Sequence, residues 1–450
     1  MSAPANAAVP QAEQSLRDTV LSRGYLRLLL LCVLLGVPIA LACFFFVGLQ
    51  HLLQHWVWES APEALGYAGP PWWWPLPALV LAGLILAPIV TRVPGSGGHL
   101  PVNGLGGAPV GPKELPGTVL AALATLPLGV VLGPEAPLLA IGSGLALLAV
   151  RRSAAADAKA RAVVATAGST AAISTILGGP IAAAVLLIEG AGLGGARLVA
   201  LLLPCLLASA AGALVFTGFG DWTGLETGAL ALGELPSAAG PDVGDFLWGL
   251  PVAALIAVLV TLGRELGRST VGFTRRGSKA ARTVACATAV GVCITAYALI
   301  TGRSPAEAAL SGQATLAELA ADPHAWSVGA LVALVACKGL AWAVSLGSLR
   351  GGPIFPAVLL GTATATAFSG LPGFGTAPAL GLGIAAAASA TTGLPLASAV
   401  LAALLLGGDA AEQMPLIVAA SVVAFIVGQL VRRQRPEGAT DTAGAAGAAR

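Results

Sequence analysis

The sequence predicts an all-α polytopic membrane protein of two inverted-topology halves, with broken and reentrant helices. Three observations lead there. Of 450 residues, 56% are hydrophobic and 10% charged, against about 25% charged in a soluble domain. Apolar runs near the length of about 20 residues that spans a bilayer as a helix recur along the chain. Finally, one frame occurs twice. Gly133-Pro134-Glu135-Ala136-Pro137, closed by Gly142, and Gly352-Pro353-Ile354-Phe355-Pro356, closed by Gly361, carry Gly, Pro, Pro and Gly at the same four places. A second pair, residues 178–186 and 393–401, follows in the same order at nearly the same offset, which argues for a duplicated half.

The net charge of +2 gives no sign of a nucleic-acid partner. The six cysteines (Cys32, Cys43, Cys205, Cys286, Cys293, Cys337) sit in apolar runs without a C-x-x-C pair. They read as small buried hydrophobes rather than disulfides or metal ligands.

Taken in order, residues 1–24 form a polar N-terminal tail. The apolar run 26–53 is the first span, too long for a signal-peptide core. Trp56, Trp58 and Trp72 to Trp74 mark its interface, where tryptophan concentrates at headgroup depth. A span at 76–92 leads to the Gly/Pro-rich loop 93–101, which is unsuited to a membrane helix. Such backbone is tolerated at depth only where protein buries it or it lines a cavity. Apolar segments follow at 117–132, 135–150, 162–177, 180–189 and 197–217, and then an acidic linker, 218–245. The second half places spans at 246–263, 284–301, 326–346, 353–369, 378–392, 395–406 and 414–431. Basic residues cluster at 151–161, at 264–282 and after 431, and basic short loops mark the cytoplasmic face. Both termini are therefore expected inside and the acidic linker outside. Each half crosses an odd number of times, so the halves, 25–217 and 246–432, are inverted, with a C-terminal tail at 433–450.

The chemistry follows from the repeated frame. Proline is favoured in the first turn of a helix, so both frames read as helix starts. If they begin at mid-depth, their free N–H groups and positive dipole ends make an anion site without a lysine. The Gly95-Ser96-Gly97 loop adds a hydroxyl and exposed amides. Glu135 lies in an apolar run with no Lys or Arg nearby in sequence, and an intramembrane carboxylate is a functional residue by default. As an anion it would fill the site itself, and protonated it would leave, which makes a pH-sensitive gate.

These residues, in this order, resemble the CLC chloride channels and proton/chloride exchangers. The likeness rests on Gly-Ser-Gly at 95–97, Gly-x-Glu-x-Pro at 133–137, Gly-Pro-Ile-Phe-Pro at 352–356, and Lys338 with Ser345-Leu346-Gly347-Ser348 before the last motif. It covers residues 25–432 and implies a homodimer with one pore per subunit. By resemblance, Ser96 coordinates the central chloride, Glu135 gates, and the amides of Ile354 and Phe355 complete the ion's shell. Gly97, Gly133 and Gly352 belong to the same anion-binding set. The sequence departs from the family pattern in four places. The loop continues Gly98-His99-Leu100-Pro101, and Ala136 replaces the glycine after the gating glutamate. The second carboxylate of proton-coupled members falls on Gly190, with Glu189 beside it as the candidate proton route, although its side chain would point elsewhere on a helix. The family's inner-gate tyrosine would lie beyond about residue 430, where none occurs. The large cytoplasmic regulatory domains of some members are not expected here.

Plainer roles stand beside these. Glu189 also reads as a helix-end carboxylate. His51 and His55, at i and i+4, lack a third ligand and read as a wet interface pair. His99 reads as packed or solvated, and Phe355 as packing whose amide is the useful part. No cofactor or metal is implied, and no nucleophile with a base in reach points to an enzyme. The expectation is plasma-membrane transport of chloride or a similar small anion, channel-like or weakly proton-coupled. A proton/chloride antiporter is the alternative, and an ion-coupled organic solute carrier a more remote one.

Overall fold

The computed structural model describes residues 16–105, 109–151, 157–177, 179–223, 232 and 240–432. Among them regular structure is helical, and the single β feature is an isolated antiparallel bridge between Gly133 and Gly352. The main helices are α1 (Arg23–His55), α2 (Pro75–Arg92), α3 (Leu115–Thr125), α4 (Glu135–Val150), α5 (Ala158–Ser174), α6 (Pro180–Gly190) and α7 (Gly195–Thr223). In the second half they are α8 (Val243–Arg275), α9 (Lys279–Thr301), α10 (Val328–Ser348), α11 (Ile354–Phe368), α12 (Thr376–Thr392), α13 (Pro395–Leu406) and α14 (Ala410–Val431). Seven segments among the described residues are long and apolar enough to cross a membrane, and α3, α4, α6 and α11 are shorter apolar helices. The outward faces are apolar as well: Leu30, Leu34 and Phe45 on α1 are each about 60% exposed. A water-soluble surface does not carry such continuous apolar area. The protein is a multi-pass membrane protein.

How the helices begin separates two classes. α1, α5, α9 and α10 start behind Ser22, Asp157, Ser278 and Ser327, whose side chains accept first-turn N–H groups. α8 starts with a reciprocal box, Asp242 accepting from Asp245 N at 3.0 Å and Asp245 accepting from Asp242 N at 2.9 Å. These caps satisfy donors that the helix itself cannot. α4 and α11 have no such cap, since their cap residues are Pro134 and Pro353. Their first-turn donors are left for something else.

Small residues hold the interior together. A Cβ built on Gly142 of α4 would stand 2.2 Å from the Gly168 carbonyl of α5. A Cβ on Gly361 of α11 would stand 2.5 Å from the Gly383 carbonyl of α12. The closing glycine of each repeated frame therefore does the same work, bringing two backbones into contact, which is how membrane helices pack when neither lipid nor side chain separates them.

Two boundaries differ from the sequence expectation. The 117–132 segment is helical only to Thr125. Pro127 cannot donate in a helix, its carbonyl accepts the Trp58 indole N–H at 3.0 Å, and Gly129 turns with φ 101°. The basic stretch 264–282 is not a loop. Arg264, Arg268 and Arg275 extend α8, Arg282 lies on α9, and only Arg276 to Ser278 form the turn. Arg264 anchors this extension by donating to the Thr391 carbonyl at 2.9 Å, a cation at the C-terminal end of α12. The loop at 93–101 is irregular as expected, and residues 1–15 of the N-terminal tail, the C-terminal tail, Gly178 and most of the acidic linker lie outside the described residues.

Candidate functional site

The two repeated frames meet. Gly133 N donates to Gly352 O at 2.8 Å, and Gly352 N donates to Gly133 O at 2.5 Å. This exchange sets the first turns of α4 and α11 beside one another, with Glu135 between them. Glu135 is fully buried, and its Oε1 accepts the Phe355 amide at 2.9 Å. Oε2 has no hydrogen-bond partner. No cation pairs with this carboxylate: the ion pairs among the described residues are His55–Glu59, Arg268–Glu265 and Arg303–Glu307. The uncapped N-terminus of α11 is therefore occupied by a carboxylate held by backbone donors, the arrangement helix N-termini offer to anions.

The glycines of the frame are required by this packing. A Cβ on Gly352 would lie 1.7 Å from Glu135 Oε2, and one on Gly133 would lie 2.3 Å from it. Neither gap admits a methyl group, so any side chain there would push the carboxylate out.

Ser96 sits in a short loop after α2 in which Gly95, Ser96, Gly97 and Gly98 all have positive φ, from 48° at Ser96 to 93° at Gly98. The Ser96 carbonyl accepts from Arg350 Nε at 3.1 Å and Nη2 at 2.9 Å. Arg350 belongs to the segment entering α11, so the loop is tied to the second frame. A cavity of about 10 Å³ lies there, lined by Gly97, His99, Thr118, Ala136, Pro137 and Arg350. His99 and Ala136 also line a cavity of about 620 Å³ that reaches Arg264 and Arg432 and includes Ser143, Ser169 and Thr170. Arg432 lies beyond the end of α14, where partial burial and then the Arg268 guanidinium lower its pKa from the usual arginine range. A groove of equal volume between α8 and α10 is nearly all apolar and offers an ion nothing.

The structure thus brings Glu135, Gly133, Gly352, Ile354 and Phe355 to one point, and Ser96 and Gly97 to a neighbouring one. Glu189 is elsewhere. From α6 it accepts the Leu396 and Ala397 amides at 2.9 and 2.7 Å, capping α13. Lys338, fully buried, donates to the carbonyls of Ala308 and Ala309 at 3.1 and 2.7 Å, at the end of the short helix Pro305–Ala308. His55 pairs with Glu59 at 3.2 Å, and no metal-competent cluster exists among the described residues. Sequence reasoning missed Arg350. It is a lone charge in an apolar run, and the rule that singled out Glu135 also applies to it.

A family model described as voltage gated chloride channel matches residues 100–429. Among curated proteins, the putative ion-transport protein YfeO of Escherichia coli O1:K1 / APEC is 32% identical over 198 residues, covering 43% of this chain and 46% of the relative. The protein of the same name from Shigella boydii serotype 4 (strain Sb227) matches to the same extent. The match thus spans about half the length of these relatives. Among solved structures, a CLC-type fluoride/proton antiporter aligns with a TM-score of 0.70 at 16% identity, over 90% of this chain and 95% of its own. A slow cyanobacterial Cl⁻/H⁺ antiporter aligns with a TM-score of 0.75 at 16% identity, over 90% and 94%.

Proposed function

The chain belongs to the voltage-gated chloride channel family, and we propose that it moves chloride or a similar small inorganic anion across the membrane between α4 and α11, with Glu135 as the gate. One observation carries this reading: the Glu135 carboxylate rests on the Phe355 amide, in the place an anion would take at the uncapped start of α11. Carboxylate and halide are rivals for the same donors. A deprotonated Glu135 keeps the site filled. Protonation removes its charge and turns one oxygen into an O–H donor, and the side chain then yields to the ion. Ser96, Gly97 and the amides of Ile354 and Phe355 serve the ion along its way. The basic 620 Å³ cavity is the cytoplasmic vestibule, in line with the positive-inside distribution and with both termini inside. The inverted halves 25–217 and 246–432, a plasma-membrane location and a homodimer complete the reading.

Channel-like or weakly coupled conduction is favoured. The family's second carboxylate falls on Gly190, and both oxygens of neighbouring Glu189 are engaged as a helix cap. A proton/anion antiporter is the second reading, favoured by the solved neighbours' descriptions. Reconstituted vesicles separate the two. Halide efflux without uphill proton movement supports conduction, whereas a fixed proton-to-halide ratio overturns it. Absence of halide flux under any gradient would overturn the function itself.

A further inference from the structure

Arg350 is a buried cation without a paired anion among the described residues. It is 6% exposed and lies in the segment between α10 and α11. Its guanidinium has five N–H donors. Three are used: Nε and Nη2 on the Ser96 carbonyl, and Nη1 on the Leu349 carbonyl at 3.1 Å. One N–H on each terminal nitrogen therefore remains without a protein acceptor among the described residues. No carboxylate forms an ion pair with it there. The ionisable groups that feel its charge, His99 and Lys279, are themselves basic. Glu114 packs its Cβ and Cγ on Gly95 but keeps an exposed side chain. A guanidinium taken out of water without a counter-charge is costly. If Arg350 served only to hold the Ser96 loop, a neutral donor would do so at lower cost.

Arg350 lines the 10 Å³ cavity, whose other walls are residues 97–99, Thr118, Gly351 and the first turn of α4 at Ala136 and Pro137. That volume admits one water-sized particle. The positive end of a 16-residue helix and Arg350 thus converge on a space of single-water size, beside the larger vestibule and next to the gate.

We propose that Arg350 is a fixed counter-charge for the transported anion, drawing a dehydrated halide into this cavity, which widens beyond its single-water size to take it, on the vestibule side of Glu135. The proposal rests on the anion-transport reading and adds a site to it. The ion there meets a full positive charge as well as amide dipoles. It therefore waits behind the gate, where its own charge helps displace the Glu135 carboxylate.

The test uses the full-length protein. Crystals soaked in bromide should show an anomalous peak within hydrogen-bonding distance of the Arg350 guanidinium. Bromide peaks elsewhere along the pathway with none at Arg350 would overturn the proposal while leaving the transport reading intact. In purified protein, Arg350→Gln should weaken chloride binding by about tenfold or more, the loss expected when a near-contact charge is removed from a semi-buried site. Arg350→Lys, which keeps the charge but not the two-pronged grip on Ser96, should recover most of it. Equal chloride affinity in a monodisperse Arg350→Gln would refute the counter-charge. A loss that Arg350→Lys does not restore would instead assign Arg350 to holding the loop. No halide flux in wild type or in Glu135→Ala would defeat the transport reading itself, a separate outcome.

Discussion

Replacing Glu135 by Gln tests the gate most directly, because the amide keeps the shape of the carboxyl but cannot ionise. The closed position is held by the 2.9 Å bond from the Phe355 amide to Oε1. A hydrogen bond to a charged group contributes about 1.5–3 kcal/mol. The N-terminal dipole of α11 adds up to about 2 kcal/mol in a partly buried geometry. Against this, Oε2 is buried without a partner, which costs about 1–3 kcal/mol. At the middle of these ranges the net hold on the carboxylate is about 1–2 kcal/mol, and a halide must overcome it to bind. Removing the charge should tighten halide binding by roughly 5- to 30-fold, at about 1.4 kcal/mol per tenfold. Calorimetric chloride titration measures the affinity, and vesicle efflux measures the rate. The pH dependence has a definite sign. In wild type the neutral carboxyl releases the amides, so flux rises as pH falls and levels off once Glu135 is protonated. In Glu135→Gln the flux should be high and flat over roughly pH 4 to 8, the range that contains ordinary and raised carboxyl titrations. A variant with wild-type affinity and an unchanged pH profile would refute the gating argument.

Gly352→Ala should displace the Glu135 carboxylate, since the new methyl would sit 1.7 Å from Oε2. Its effect on halide efflux should therefore largely vanish in a Glu135→Ala background, and two fully additive effects would contradict this. Gly142→Val should destabilise the protein by several kcal/mol, because overpacking against a carbonyl 2.2 Å away goes beyond the usual cost of about 1–3 kcal/mol. Thermal melting in detergent reads this, and Gly361→Val on the other half should behave alike. Glu189→Ala should lower stability by about 0.5–2 kcal/mol through loss of the α13 cap. It should leave halide efflux and its relation to proton movement as in wild type, and a selective loss of proton movement would instead favour the antiporter.

Much of this protein could be read without its coordinates because the bilayer restricts the options. A run such as 76–92 must be a helix of spanning length, and the structure places α2 at Pro75–Arg92. The Gly-Pro frames read as helix starts, because proline suits the first turn of a helix and not its interior, and α4 and α11 begin right after Pro134 and Pro353. The isolation of Glu135 was legible for the same reason: a charge in an apolar run stands out. Where the reading erred, side chains far apart in sequence decided the outcome. Trp58 draws the Pro127 carbonyl into a turn and ends α3 early. Arg264 finds the end of α12 and carries α8 through what charge alone marked as a loop.

The sequence by itself determined the membrane class, the spans, the two frames and the lone acidic residue, since each depends on local composition or on spacing within one segment. Only the tertiary structure decided that Gly133 and Gly352 exchange hydrogen bonds, that Phe355 holds Glu135, that Glu189 caps α13, and that Arg350 grips Ser96. These contacts join residues that are remote in the chain. They form because backbone donors left free at one helix end must find acceptors, and in a membrane those acceptors can come only from the protein itself or from the ion it carries.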